Sequence, residues 1–284
     1  MLVKIVTDSL ADIPSAVAKE LGITVVPLNV HFGTQTFRDG IDLTAERFYE
    51  KLTPSKIFPT TTVPPVSEFV DIYDKLAEDT DGIVVITFSR KLGAGYDIAL
   101  EAKGLMKRRC RVEVIDSQWA VMAQGLIVMA AAQVAQAGAD MDKVVAIVRR
   151  NIPRADVRMV FDTLEYLNRG GRIGKAQVFL SSMLKVNPIL GLRDGETYPF
   201  AREHSRTKAI DYLYKFATGF SHIEGMAVED ATTPDEADEL AKRLGSKFPK
   251  ETIYRTKVSP AVGVHVGPHV LAVAVLGDKI SDDS

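Results

Sequence analysis

The sequence predicts an α/β protein of two domains. Residues 1–153 would form an N-terminal parallel sheet with helices on both faces, and residues 154–284 a mixed sheet with helices. Three observations lead there. Short apolar runs alternate with helical segments through the first half, the pattern of a parallel sheet covered on both sides. Around Ile152-Pro153-Arg154 the pattern turns to hairpin-forming runs. A length of 284 residues is enough for two compact domains or one large one.

The elements follow in order. Val3–Thr7 is an apolar strand, Ile13–Leu21 a short helix ended by Gly22, and Ile23–Val30 a second strand. A hairpin is expected to turn at Arg38-Asp39-Gly40, and Thr44 to cap a helix running through Phe48 to Leu52. After a Pro/Thr-rich loop, Val66, Phe69, Val70, Tyr73, Leu76 and Ala77 trace the apolar stripe of an amphipathic helix. Ile83–Ser89 is a continuous apolar strand that runs into a glycine-rich helix start, Arg90–Tyr96, and Val112–Ile115 is the next strand. The Ala-rich stretch from Ala120 to Ala139 is broken by Gln124, Gln133 and Gln136. It fits a helix buried in a core better than a membrane span.

In the second half Val157–Phe161 is a strand, and Asp162 with Glu165 suggests a capping box for a short helix. Pro188–Leu192 and Thr197–Phe200 form a hairpin turning at Asp194-Gly195. A helix spans Ala209–Phe216, and Thr233-Pro234-Asp235-Glu236 is a strong helix start. Val270–Val275 is apolar throughout and belongs mid-sheet.

Composition narrows the class. Hydrophobic residues make up 46% and charged residues 25%, as in ordinary globular proteins. The formal net charge of −2 and the lack of a dominant Lys/Arg block exclude a general nucleic-acid binder. A single cysteine, Cys110, rules out an internal disulfide framework and fits a reducing cytoplasm. The opening residues enter a strand at once and lack the pattern of a signal peptide. A cytoplasmic location without an integral membrane segment is expected.

Five segments could carry chemistry. At Ile83–Tyr96 a helix start following a glycine-rich turn offers free amides and a dipole to a carboxylate or phosphate, though a plain strand-to-helix turn reads the same way. Pro59–Pro65 presents Thr60, Thr61 and Thr62 on a backbone that prolines hold extended. Arg169-Gly170-Gly171-Arg172 is either an oxyanion cradle or a basic helix C-cap. Arg202, His204 and Arg206 could meet a phosphate or an acidic partner, or be a solvated polar stretch. The His265-x3-His269 spacing invites a metal, but the intervening Gly267-Pro268 disfavours a helix, and no metal site is expected. No Walker A motif, complete dinucleotide fingerprint or nucleophile elbow is present, so no catalytic residue is assigned.

These segments, in this order and spanning nearly the whole chain, resemble the DegV family of bacterial fatty-acid-binding proteins. The resemblance is carried by Thr7-Asp8-Ser9, Pro59–Pro65, Ser89–Tyr96, Asp116-Ser117, Leu167–Gly174 and His265-x-Gly267-Pro268. It implies two α/β domains with a long-chain fatty acid between them, no other cofactor, and in some members a separate fatty-acid kinase subunit that phosphorylates the presented carboxylate. It places the head group near Thr61, Thr62, Gly93, Ala94 and His265, with Ser9 and Ser117 also in the ligand set. Arg169, Arg172, Arg202, His204 and Arg206 would face a phosphate or a partner. An acyl chain of about sixteen carbons, at about 0.8 kcal/mol per buried CH₂, would gain roughly 10 kcal/mol before ordering costs, which favours a deep apolar tunnel.

The chain departs from the family pattern in four places. The family's Ser-Ser-x-Leu-Ser-Gly-Thr-Tyr reads Ser89-Arg90-Lys91-Leu92-Gly93-Ala94-Gly95-Tyr96, so a carboxylate-binding hydroxyl falls on Gly93. Its Thr-Ser-Gln-Pro-Ser reads Thr61-Thr62-Val63-Pro64-Pro65, and its Thr-His-Thr-Gly-Pro-Gly reads Val264-His265-Val266-Gly267-Pro268-His269. A family arginine tied to phosphotransfer falls on His204. Lys91 is a candidate for a compensating charge. The resemblance therefore implies a lipid-acid binding protein that makes no bond by itself. The alternative is a substrate-binding subunit like that of dihydroxyacetone kinase, with a small polar pocket near His204 or His265. A third reading is a regulatory protein whose ligand controls its partner.

Overall fold

The computed structural model describes residues 3–80, 82–182 and 186–280. In the first half the strands are β1 (Lys4–Asp8), β2 (Ile23–Val26), β3 (Asn29–Phe32), β4 (Gln35–Arg38), β5 (Thr60–Thr62), β6 (Gly82–Thr87) and β7 (Arg111–Asp116). The helices are α1 (Ser15–Glu20), α2 (Ala45–Leu52), α3 (Val66–Leu76), α4 (Gly95–Leu105), α5 (Val121–Gln136) and α6 (Met141–Asn151). A 3₁₀ turn at Ile152–Arg154 leads to β8 (Ala155–Val160), α7 (Glu165–Arg169), β9 (Asn187–Arg193), β10 (Glu196–Glu203) and α8 (Arg206–Thr218). The chain continues through β11 (Phe220–Asp230), α9 (Pro234–Leu244), β12 (Ile253–Lys257), α10 (Pro260–Val266) and β13 (Leu271–Lys279).

The first-half sheet is parallel, in the order β2-β1-β6-β7, and β6 is buried at every position. One face packs Val6, Val85 and Val114 against Tyr73 of α3 and Ala99 of α4. The other face packs on α5. The second-half sheet is mixed, in the order β10-β9-β8-β13-β11-β12, with only β11 and β12 parallel. Helices α8 and α9 cover its outer face through Leu213 and Leu240. A single apolar core contains Ile5 and Ile86 of one sheet, most of α5, and Val157 and Ala274 of the other. Helix α5 thus lies between the two sheets, which explains its apolar residues on every side. Gln124 is its buried exception, and its amide donates to Thr7 Oγ1 at 2.9 Å and to Asp8.

The expected alternation, the Thr44 cap (accepting from Arg47 N–H), the central place of β13 and the Asp194-Gly195 turn are all present. Both turn residues have positive φ, 52° and 78°, as a two-residue hairpin needs. Other expectations need correction. The Ile23–Val30 run is two strands: Pro27, which has no N–H, ends the parallel pairing, and β3 leaves to join β4 and β5 in a separate three-stranded antiparallel sheet. The β3–β4 hairpin turns at Gly33-Thr34 instead of Arg38–Gly40. The Asp162–Glu165 capping box does not form, because Asp162 accepts from Arg206 and Thr163 Oγ1 accepts from Glu165 N–H. Helix α9 starts as expected, but the Thr233 hydroxyl makes no cap bond. Helix α6, which Asp140 caps through Lys143 N–H, and helix α10 were not anticipated.

Candidate ligand chamber

A cavity of about 320 Å³ lies between the two halves. Phe88, Ile98, Val121, Met159, Phe161 and Leu190 are among its apolar lining residues. Its few polar groups come from Thr61, Thr62, Arg172, Thr197 and His265.

Thr61 sits in the middle of β5, which pairs with β3 through Val30. Prolines on both sides keep this segment extended. Its hydroxyl lies 2.9 Å from His265 Nε2, joining residues 204 positions apart. Neighbouring Thr62 points the other way along the strand, and its hydroxyl meets His31 Nε2 at 2.9 Å. His265 lies in the last turn of α10, and its ring is largely buried. Burial first, and then the positive charge of Arg172, push its pKa down to about 4. A neutral ring has one N–H and one bare nitrogen. Nδ1 has no partner and faces Gly170, where a Cβ would overlap it, so only glycine admits the imidazole here. Gly170 also ends α7, its N–H donating to Tyr166 O at 2.8 Å. Of the two readings the Gly-Gly pair allowed, the helix C-cap is present, and the close approach of His265 comes with it.

The start of α4 forms another part of the wall. Gly93 and Ala94 line the cavity, and Ala94 makes no side-chain cap bond. A Cβ on Gly93 would lie 3.1 Å and 3.2 Å from the Phe88 ring and 4.0 Å from Arg172 Nη2. The ring of Phe88 therefore occupies space that a side chain at 93 would need. Arg172 Nε donates to Leu92 O at 3.0 Å and Nη1 to Gly170 O at 2.7 Å, binding the α4 turn to the end of α7. Lys91 is turned to Glu196, 3.2 Å away, so the cation beside the turn is Arg172.

The other expected site residues lie elsewhere. Ser9 Oγ accepts from Leu28 N–H and lines a different cavity. Ser117 is fully buried and exchanges hydrogen bonds with the Trp119 backbone. Of the five partner-facing residues, Arg172 alone lines the chamber. Arg169 lies over Phe58, 4.1 Å from the ring centre, and pairs with Glu165, while Arg202 lies over Phe179. His204 is exposed between β10 and α8. Arg206 is held by Glu236 and Asp162, so its charge is neutralised. His269 reaches Thr232 rather than His265, and among the described residues no group of three or more His, Cys, Asp or Glu is placed to hold a metal ion. Phe88, Val121 and Ala261 escaped the sequence reading because an apolar wall residue carries no local signature of what it lines.

Fold and cavity define the class: a two-domain α/β protein built around an internal apolar chamber, with a small polar end. The chain belongs to the DegV family; the family model described as "Uncharacterised protein, DegV family" matches residues 2–278. A DegV domain-containing protein of Caldanaerobacter subterraneus subsp. tengcongensis is 34% identical over 274 residues, covering 95% of this chain and 97% of that protein. Protein DegV of Bacillus subtilis is 31% identical over 279 residues, covering 96% and 98%. Among solved structures, a fatty-acid-binding DegV family protein from Thermus thermophilus superposes with a TM-score of 0.90 at 28% identity, covering 98% of this chain and all (100%) of that one. A stearic-acid-binding protein from Eubacterium ventriosum gives 0.87 at 25% identity, covering 97% and 98%. Among the described residues no helix is long and apolar enough to cross a membrane.

Proposed function

We propose that this protein binds a long-chain fatty acid in the chamber between its two halves, which divide near residue 153, and forms no bond by itself. The observation that carries the reading is the Thr61–His265 contact in an otherwise apolar cavity that the start of α4, without a side-chain cap, also lines. A buried carboxylate is costly unless several donors satisfy it. If the neutral imidazole carries its proton on Nε2 and donates to Thr61 Oγ1, the threonine proton is free for one carboxylate oxygen. The Gly93 and Ala94 amides and Arg172 are at hand for the rest. The fatty-acid and stearic-acid ligands of similar structures support the same ligand class. The apolar lining counts against the small polar pocket that a dihydroxyacetone-kinase-like substrate would need.

The finer reading is presentation of the carboxylate to a separate fatty-acid kinase subunit in the cytoplasm. Arg172 beside the head group, with Arg169, Arg202 and His204 on the outside, would meet the phosphate or the partner. Arg206 would instead brace Asp162 and Glu236.

Mass spectrometry of extract from purified protein should detect a long-chain fatty acid. No lipid, together with no uptake of added palmitate or oleate, would end the proposal. Thr61→Val should weaken binding by about 1–3 kcal/mol, the cost of an unmade buried hydrogen bond, while Thr61→Ser should keep most of the affinity.

A further inference from the structure

Another cavity, of about 540 Å³, lies where the two halves join. Trp119, just after β7, lines it from the first half, and Ile152 and Pro153 from the turn that links the halves. Arg158 of β8 and Arg193 of the β9–β10 hairpin line it from the second half. It shares Leu192 with the chamber but none of the chamber's polar groups.

Its walls carry a surplus of positive charge. Four cations line it, Arg149, Arg158, Arg193 and Lys279, against two carboxylates, Asp156 and Asp194. Arg149 is committed to Glu113, 2.9 Å away. Asp156 is shared. Its Oδ1 accepts from Arg158 Nη1 and from Val157 N–H, and its Oδ2 meets Lys279 Nζ at 2.8 Å. One carboxylate thus serves two cations. Arg193 is exposed and has no carboxylate partner among the described residues. Its guanidinium lies over Tyr198, 3.9 Å from the ring centre, and 5.1 Å from that of Phe200.

Arg158 is the built part of the site. It is only 7% exposed, and its guanidinium lies 3.3 Å from the centre of the Phe200 ring and 4.7 Å from that of Phe216. Stacking covers the face of a guanidinium and leaves its edge free to donate. Nη1 spends its protons on Asp156 and on Val157 O. Among the described residues Nε, shut off from solvent, has no acceptor, and no acceptor is bonded to Nη2, which is not shut off. A buried cation with donors unmade is costly, and an anion in the cavity would lower that cost. The hairpin that carries Arg193 is held in place. Ser89 Oγ donates to Gly195 O at 2.8 Å, and Lys91 pairs with Glu196.

We propose that this cavity binds a small phosphate monoester. Arg193, Lys279 and the free edge of Arg158 take the phosphate oxygens, for which a dianion matches the surplus charge. Trp119 and Phe200 flank the organic part, since the cavity is larger than a bare phosphate ion fills.

The test is calorimetric titration of the purified protein with inorganic phosphate and with phenyl phosphate. Both should bind, phenyl phosphate the more tightly. The chain has one tryptophan, so the single indole N–H resonance belongs to Trp119 and should shift during the titration. Arg193→Met and Lys279→Met, both at exposed positions, should keep the melting temperature and weaken phenyl phosphate about tenfold to a hundredfold each, the scale of a lost hydrogen bond to a charged group. Arg172→Met, in the chamber, should bind it as wild type does. No binding of either probe would overturn the proposal, as would binding that both Arg193→Met and Lys279→Met leave intact. Equal affinity for the two probes would remove the monoester. Binding lost in Arg172→Met alone, or without a shift at Trp119, would put the phosphate elsewhere and also overturn it. None of these outcomes depends on a fatty acid in the chamber, so the two sites stand or fall separately.

Discussion

Gly93→Ser adds the hydroxyl that the resemblance puts at this position, yet it should not give tighter binding. The new Cβ would stand 3.1–3.2 Å from two atoms of the Phe88 ring, closer than side chains ordinarily pack. Phe88 is only 2% exposed, and any retreat carries its ring into the chamber it lines, at the expense of the space for the ligand. Forcing a buried ring aside costs about 1–3 kcal/mol. A hydroxyl bonded to the carboxylate returns about 0.5–1.5 kcal/mol, so the cost wins or cancels the gain. The expected outcome is a lower melting temperature with affinity unchanged or reduced. Phe88→Leu should make room, and the double variant should bind more tightly than the two single changes predict, with a coupling of about 1 kcal/mol. Denaturant unfolding and displacement of a fluorescent fatty acid, run on all four proteins, measure this cycle. Gly93→Ser binding more tightly with no loss of stability, or zero coupling to Phe88, would show that the ring does not exclude the hydroxyl.

Arg172→Met removes the cation that helps hold His265 low, so the imidazole should titrate higher than about 4, and NMR of the ring protons would register it. Gly170→Ala should displace His265 from Thr61, lowering both stability and lipid affinity. Thermal melting and lipid displacement would reveal either failure, and a normal protein would mean that the close approach is not needed. Asp8 is raised to about 7, chiefly by burial, so it binds more protons folded than unfolded between about pH 4 and 7. Its contribution is present below pH 4 and lost as pH rises through 7. Asp8→Asn should flatten that part of the stability profile while lowering stability overall, since Asp8 accepts from Phe88 and Leu10 N–H. His265 acts in the opposite sense, because its lowered pKa costs stability as pH falls from 6.5 toward 4, and His265→Gln should remove that limb.

Much of the fold was legible because its signals are local. An uncharged run such as Ile83–Ile86 suits only a strand buried on both faces, a hydroxyl at Thr44 caps the helix beside it, and Asp194-Gly195 adopts the left-handed angles of its own turn. The candidate residues Thr61, Gly93 and His265 were marked by the resemblance to the DegV family, in segments that prolines and glycines set apart. Tertiary structure decided everything that depends on which segments meet. It broke the Ile23–Val30 run at Pro27 and spent the charge of Arg206 on Glu236 and Asp162. It also left Ser9 and Ser117 bonded to the backbone, placed Phe88 where a side chain at 93 would sit, and joined Thr61 to His265 across 204 residues. The physical reason is range. Propensity, capping and turn geometry act over a few bonds, whereas burial, charge pairing and the shape of a chamber are set by neighbours that only the packed chain brings together.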